Sequence, residues 1–280
     1  MASQMLIYES AVAVSSNRHS GWCVEVGADY SFSKNVNSVP LMAVEIQKAA
    51  AEYAVVFSGS GEAMLPAVIL GMRGNENLYL NRQGGWQAKY IPAFVRRYPF
   101  VFSRSEDGKT FTLCIDESFP GFNQQGRGER LFNEQTKPTP YVENVLKFLE
   151  QYQAEFRRTQ AFCSKLRELG LLEPMRAQVN LASGERMSLT GFMAVNRERL
   201  KALNAEALAD LARTDALELL YLHLHSLQNF AGMMDRLGAE RGAQTSEAAE
   251  PDKPAQSQND ASKPARDKAA EKKQPVKAGK

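Results

Sequence analysis

Hydrophobic positions follow two different patterns along the 280 residues of this chain. In the first half they come in short runs. SGWCVEV (20–26) alternates apolar and polar side chains, the period of a half-buried strand. NSVPLMAVEIQKAAAEY (37–53) shifts to helical spacing, with Leu41, Val44, Ile46 and Ala49 in register, Ser38 as N-cap and Pro40 in the first turn. AVVFSG (54–59), AVILGM (67–72) and NLYLN (77–81) are further apolar runs broken by Gly and Asn, and GNEN (74–77) has the composition of a hairpin turn between the last two. TFTLCID (110–116) reads as another strand.

In the second half the runs lengthen. The segment from Thr139-Pro140 to Gly170 has a helix start, a long periodic body and a glycine stop. AQVNLASGERMSLTGFMAV (177–195) reads as two strands joined by an SGE turn. A second long helix is predicted through ALADLARTDALELLYLHLHSLQNFAGMMDRL (207–237), where Leu217, Leu220, Tyr221, Leu224, Leu227 and Ala231 share a stripe that Leu219 and Leu222 widen. Strands first and helices later predict an α+β domain. Its β-rich N-terminal half has short antiparallel strands and hairpins, and two long helices flank a hairpin in its second half.

Composition sets the limits of that domain. From Gly238 to Lys280 the chain contains no Leu, Ile, Phe, Trp or Tyr, so this tail is expected to be disordered and residues 1–237 to form the globular part. The tail also carries the charge imbalance: it holds 9 Lys or Arg and 7 Asp or Glu, leaving 25 of each in residues 1–237. A neutral globular part has no basic footprint for phosphates, so nucleic acid is not an expected partner. No run of apolar residues is long enough for a membrane-spanning helix, and the N-terminus has no cationic start of a secretory signal. Cys23, Cys114 and Cys163 are odd in number and far apart without a CxxC pair, which fits buried thiols in a reducing compartment. The expected localisation is cytoplasmic, with the cell surface by a signal-independent route as the alternative.

Six residues stand out as candidates for binding a ligand. Arg96 and Arg97 sit inside YIPAFVRRYPFVF (90–102). If residues 90–98 are helical, Ile91, Phe94, Val95 and Tyr98 form an apolar face, and the arginines fall about 140° and 240° from Ile91. They are then either the solvated side of a helix end or a fork for carboxylate or phosphate, with Tyr90, Phe94, Tyr98, Phe100 and Phe102 as apolar walls. Arg18 and His19 lie in a polar turn before a strand, where a histidine has little packing reason to be. Asp116 and Glu117 end a strand and open a long glycine-containing loop (114–132), suited to holding a metal, to proton transfer or to an ion pair with Arg96 or Arg97. His223 and His225 lie about 200° apart on a helix and do not reach one ion. No HExxH, facial triad, phosphate loop, GxGxxG or GxSxG is present, so no metal site or cofactor is assigned.

Taken together, Arg18-His19 with Trp22, DYSF (29–32), NSVPLMAVE (37–45), YIPAFVRRYPFVF, LCIDE (113–117), LLEPM (171–175) and YLHLHSLQNF (221–230) resemble the bacterial SapC family. The resemblance runs from about Met5 to Leu237 and leaves out the tail. It implies an association with a bacterial surface layer and no established catalytic residues. The expectation is a non-catalytic accessory of a cell-surface or uptake system that binds a small anionic ligand or a partner protein. The alternative is an enzyme using a metal or an anionic cosubstrate at a site built from His19, Asp116, Glu117 and the arginine pair.

Overall fold

The computed structural model describes residues 5–105, 110–180 and 186–247, with backbone alone for 179–180 and 239–247. It is an α+β protein whose antiparallel strands are gathered in three sheets. In chain order the strands are β1 (Ala11–Ala13), β2 (Cys23–Val24), β3 (Ser38–Pro40), β4 (Val55–Ser58), β5 (Leu65–Ile69), β6 (Phe100–Arg104), β7 (Phe111–Asp116), β8 (Phe122–Asn123), β9 (Glu129–Arg130), β10 (Leu172–Asn180) and β11 (Arg186–Val195). The helices are α1 (Ser16–His19), α2 (Ile46–Ala49), α3 (Ala93–Arg96), α4 (Pro140–Glu168), α5 (Arg197–Lys201), α6 (Ala205–Arg213), α7 (Ala216–Ser226) and α8 (Asn229–Glu247).

The central sheet has the order β10-β11-β4-β5-β3. Its inner strands β4 and β5 read as unbroken apolar runs because both faces are covered, leaving Val55, Val56, Phe57 and Val68 without solvent contact. Helix α4 packs against β5, while α7 packs against β4 and β11. There are two smaller sheets, β1-β7-β6, in which β7 ends at Asp116, and β8-β2-β9.

Helix α4 follows its sequence signals closely. Thr139 caps it by accepting from Val142 N, and Pro140 occupies the first helical position. Gly170, at φ +63°, ends it: Leu171 N donates to Leu166 O at 3.0 Å and Gly170 N to Arg167 O at 2.9 Å, the two bonds of a Schellman turn. The β10–β11 hairpin also forms, with Asn180 paired to Arg186, and its SGE turn lies outside the described residues.

Three expectations need correction. Ser38 and Pro40 belong to strand β3 rather than to a helix start; that helix is a 3-10 turn at Ala43–Glu45 leading into α2. β3 is captured by β5 through Ser38↔Ile69 and Pro40↔Ala67, so tertiary pairing overrides the capping signal. NLYLN is not a ladder strand: Leu80 makes a single bridge to Trp86, and Glu76 turns the chain by accepting from Met72 N and Arg73 N. The last long helix is three, α6, α7 and α8; the chain breaks at Asp215, at φ +57°, and again between α7 and α8. Helix α8 is described as far as Glu247. Residues 248–280 lie outside the described residues.

Candidate ligand-binding site

Three of the six candidate residues meet beside the small sheets. β2 is flanked by β8 and β9, two strands of the loop that begins after β7. The residues just before β2 are thereby brought to the start of that loop. Arg18 Nη2 donates to Glu117 Oε2 at 2.5 Å, and His19 Nε2 lies 2.9 Å from Glu117 Oε1. Nδ1 lies 3.1 Å from Ser15 N and 3.2 Å from Ser15 O, while Nε2 donates to the Glu117 carboxylate, which can only accept. The imidazole is 0% exposed and meets the Trp22 ring edge-on at 5.0 Å. The expected polar turn is a helical turn from which His19 alone is buried, so His19 does have a packing reason for its place.

Glu117 accepts hydrogen bonds from both Arg18 and His19. Partial burial pushes its carboxyl up, but the hydrogen bonds from His19 and Arg18 and their charges outweigh this and hold it below the usual carboxylate range. Asp116 does different work. Fully buried, it accepts from Glu9 N at 2.7 Å, Ser10 N at 3.3 Å, Ser118 N at 3.2 Å and Ser118 Oγ at 2.7 Å. It thus ties the N-terminal segment to the end of β7. The expected ion pair of these acids with Arg96 or Arg97 is replaced by these contacts.

The arginine pair is split by the backbone. The predicted helix over 90–98 shortens to α3, with Arg97 at its C-cap and a cis peptide between Tyr98 and Pro99. Arg97 turns inward and is 2% exposed, its guanidinium carbon 4.4 Å from the Phe94 ring, 4.9 Å from Tyr152 and 5.5 Å from Tyr8. Burial pushes the Tyr152 hydroxyl up to about 12, with the charge of Arg97 opposing it. Phe94, Tyr98 and Phe100 are core residues, so the aromatic run does not form the walls of an open pocket.

Arg96 remains at the surface. Its Nε donates to Ile91 O at 3.0 Å, and its guanidinium carbon lies 5.4 Å from the Phe148 ring of α4 and 6.0 Å from Tyr90. Behind it stands a residue that sequence reasoning missed. Glu45, 5% exposed, accepts from Met42 N at 2.8 Å, Ala93 N at 2.7 Å and Tyr90 Oη at 2.5 Å. Glu52 accepts from Lys89 N and Tyr90 N, both at 2.9 Å. Two carboxylates thus fix the segment that presents Arg96. The one sequence signal for Glu45 was its position at the third residue of a helical turn, where a carboxylate reaches back to the preceding amide.

The structure thus brings Arg18, His19 and Glu117 into contact, uses Asp116 and Arg97 inside the fold, and leaves Arg96 as an oriented surface guanidinium. Among the described residues, no three His, Cys, Asp or Glu side chains converge as metal ligands. His223 and His225 part as the helical spacing predicts: His223 is buried against β4 and β11, while His225 contacts Gln228 at the surface. Cys23, Cys114 and Cys163 are free and buried. Among the described residues no helix is long and apolar enough to cross a membrane.

The chain belongs to the SapC family, whose family model matches residues 14–233. Comparison with curated proteins and with solved structures returned no match.

Proposed function

We propose that this SapC-family protein is a non-catalytic binding protein that serves a bacterial cell-surface or uptake system. In this reading it works from the cytoplasm and recognises an anionic group on a small molecule or partner protein. The observation that supports the reading is the state of Arg96. Its Nε is tied to Ile91 O, and Phe148 and Tyr90 flank its guanidinium. A guanidinium held in place loses less rotamer freedom on meeting a carboxylate or phosphate. Arg18 and Glu117, as a clamped pair, support the neighbouring loop rather than meeting the ligand.

The enzyme reading draws less support from the geometry. His19, its natural base, is enclosed, with Nδ1 engaged by Ser15 and Nε2 by Glu117. General-base catalysis needs a nitrogen within reach of a substrate proton.

Calorimetric titration with inorganic phosphate, citrate and a Glu-rich peptide tests the proposal. Binding of at least one probe, weakened about tenfold or more by Arg96→Lys with an unchanged melting temperature, is the expected result. No heat with any probe, or equal binding by the variant, contradicts it. Fractionation tests the setting: protein recovered solely in an extracellular layer excludes the cytoplasmic role.

A further inference from the structure

A second place in the fold carries chemistry of its own. After β4 the chain reads GSGEAM (59–64) and doubles back: Gly59 is at φ +98°, where a Cβ would lie 2.6 Å from Ala63 O, and Gly61 is at φ +53°. Glycine is needed at both turns. The loop faces the C-terminal part of α4 across a cavity of about 310 Å³, whose lining includes Gly61, Glu62, Met64, Cys163, Ser164 and Arg167.

Arg167 is the unusual member. Its Nη2 donates to Ser164 Oγ at 3.0 Å, while its Nε is buried without a hydrogen-bond partner. A buried guanidinium N–H without an acceptor loses its hydration with nothing in the protein to replace it. Glu62 lines the same cavity from its exposed side, yet no ion pair within 4.0 Å joins it to Arg167. Two opposite charges thus share a small space without meeting each other. Met64 and Cys163 add buried apolar surface. Burial pushes the Cys163 thiol up to about 12, with the charge of Arg167 opposing, so the sulfur stays protonated and is no nucleophile.

We infer that this cleft is a binding site for a small amino-carboxylate, an amino acid or dipeptide, with its carboxylate on Arg167 and its ammonium on Glu62. A simple anion meets repulsion from Glu62, and a simple cation meets repulsion from Arg167; a zwitterion satisfies both. A carboxylate matches the planar fork of the Arg167 guanidinium, which lines the cleft. The cavity sits at the small end of the range for ligand sites, about 300–1,000 Å³, which suits so compact a molecule. The site is separate from Arg96: Phe148 and Arg167 lie 19 residues apart on α4, about 28 Å along its axis.

Calorimetric titration of the full-length protein with L-alanine, L-methionine and glycylglycine tests the site, with N-acetylalanine and alaninamide as single-charge controls. At least one zwitterion is expected to bind about tenfold or more tightly than its single-charge control. Arg167→Lys weakens that binding about tenfold or more, since lysine lacks the fork. Glu62→Gln weakens the zwitterion but not N-acetylalanine; because Glu62 is exposed, this variant serves even if Arg167→Lys lowers the melting temperature. Arg96→Lys leaves the binding unchanged, which separates this site from the proposed anion site. Zwitterions that fail to bind below about 10 mM, bind no better than the controls, or bind the Arg167→Lys and Glu62→Gln variants as tightly as the wild type overturn the inference.

Discussion

His19 Nε2 and Glu117 Oε1 lie 2.9 Å apart, although 98 positions separate the two residues in the chain. The contact fastens α1 to the loop that opens after β7, and Arg18 adds a second hydrogen bond to the same carboxylate. Glu117→Gln keeps the shape and removes the charge, so it should cost about 1–2 kcal/mol, as hydrogen bonds to charged groups do. The folded carboxyl titrates below its unfolded value, so its stabilisation is present above about pH 4.3 and is lost as pH falls through the lower folded value. Urea melts of wild type and variant should therefore differ most near neutral pH and converge in acid. A difference that stays constant with pH would contradict the role given to Glu117.

His223 joins three elements. Val195 N donates to its Nε2 at 3.1 Å, so Nδ1 carries the proton and donates to Val55 O at 2.9 Å. Burial pushes its pKa down to about 4, with the Val55 carbonyl opposing. The unfolded chain then binds a proton that the folded one refuses, so stability is full above about pH 6.5 and declines as pH falls towards 4. The loss attributable to this residue between about pH 7 and about pH 5 is roughly 2 kcal/mol. His223→Gln should destabilise the protein near neutral pH and flatten the stability profile by that amount. A profile unchanged by the substitution would show that acid acts elsewhere.

Thr159 is a fully buried hydroxyl in the middle of α4. Its Oγ1 accepts from Ala43 N at 2.8 Å and donates to Glu155 O at 2.7 Å, joining the long helix to the 3-10 turn before α2. Thr159→Val preserves the volume and strands the Ala43 amide, at a cost of about 1–3 kcal/mol. Thr159→Ser should recover much of that loss. Equal melting temperatures for the Val and Ser variants would rule out the hydrogen bond as the cause.

The two arginines should respond differently to the same change. Arg97→Lys places a compact ammonium among Phe94, Tyr152 and Tyr8 in place of a stacked plane, and should lower stability by about 1–3 kcal/mol. Arg96→Lys should change it by less than about 0.5 kcal/mol, as surface substitutions do. Thermal denaturation of both variants decides; equal losses would refute the division between an inner and an outer arginine.

Residues 248–280 contain a single large aliphatic, Val276, so deleting them should leave the melting temperature within about 3 °C of the full chain. A larger fall would assign the tail a place in the folded protein.

Much of the scaffold was legible because its signals are local. Thr139, Pro140 and Gly170 bound α4 through bonds made within a few residues, and the burial of β4 and β5 follows from unbroken apolar runs. The opposed placement of His223 and His225 needed only the helical period. Signals failed where a distant partner competed: Ser38 reads as a cap but is paired by β5.

What the sequence determined alone is the α+β class, the long α4, the β10–β11 hairpin and the SapC-family membership, since periodicity, capping and motif order are properties of neighbouring residues. Only the tertiary structure decided which of two adjacent arginines is buried, why His19 is enclosed, and that Glu45 stands behind Tyr90 and Ala93. It also brought Arg167 and Glu62 to one cavity from positions more than a hundred residues apart. The physical reason is the same each time. Burial and charge pairing depend on which side chains meet in space, and identical residue types carry no mark of their future partners.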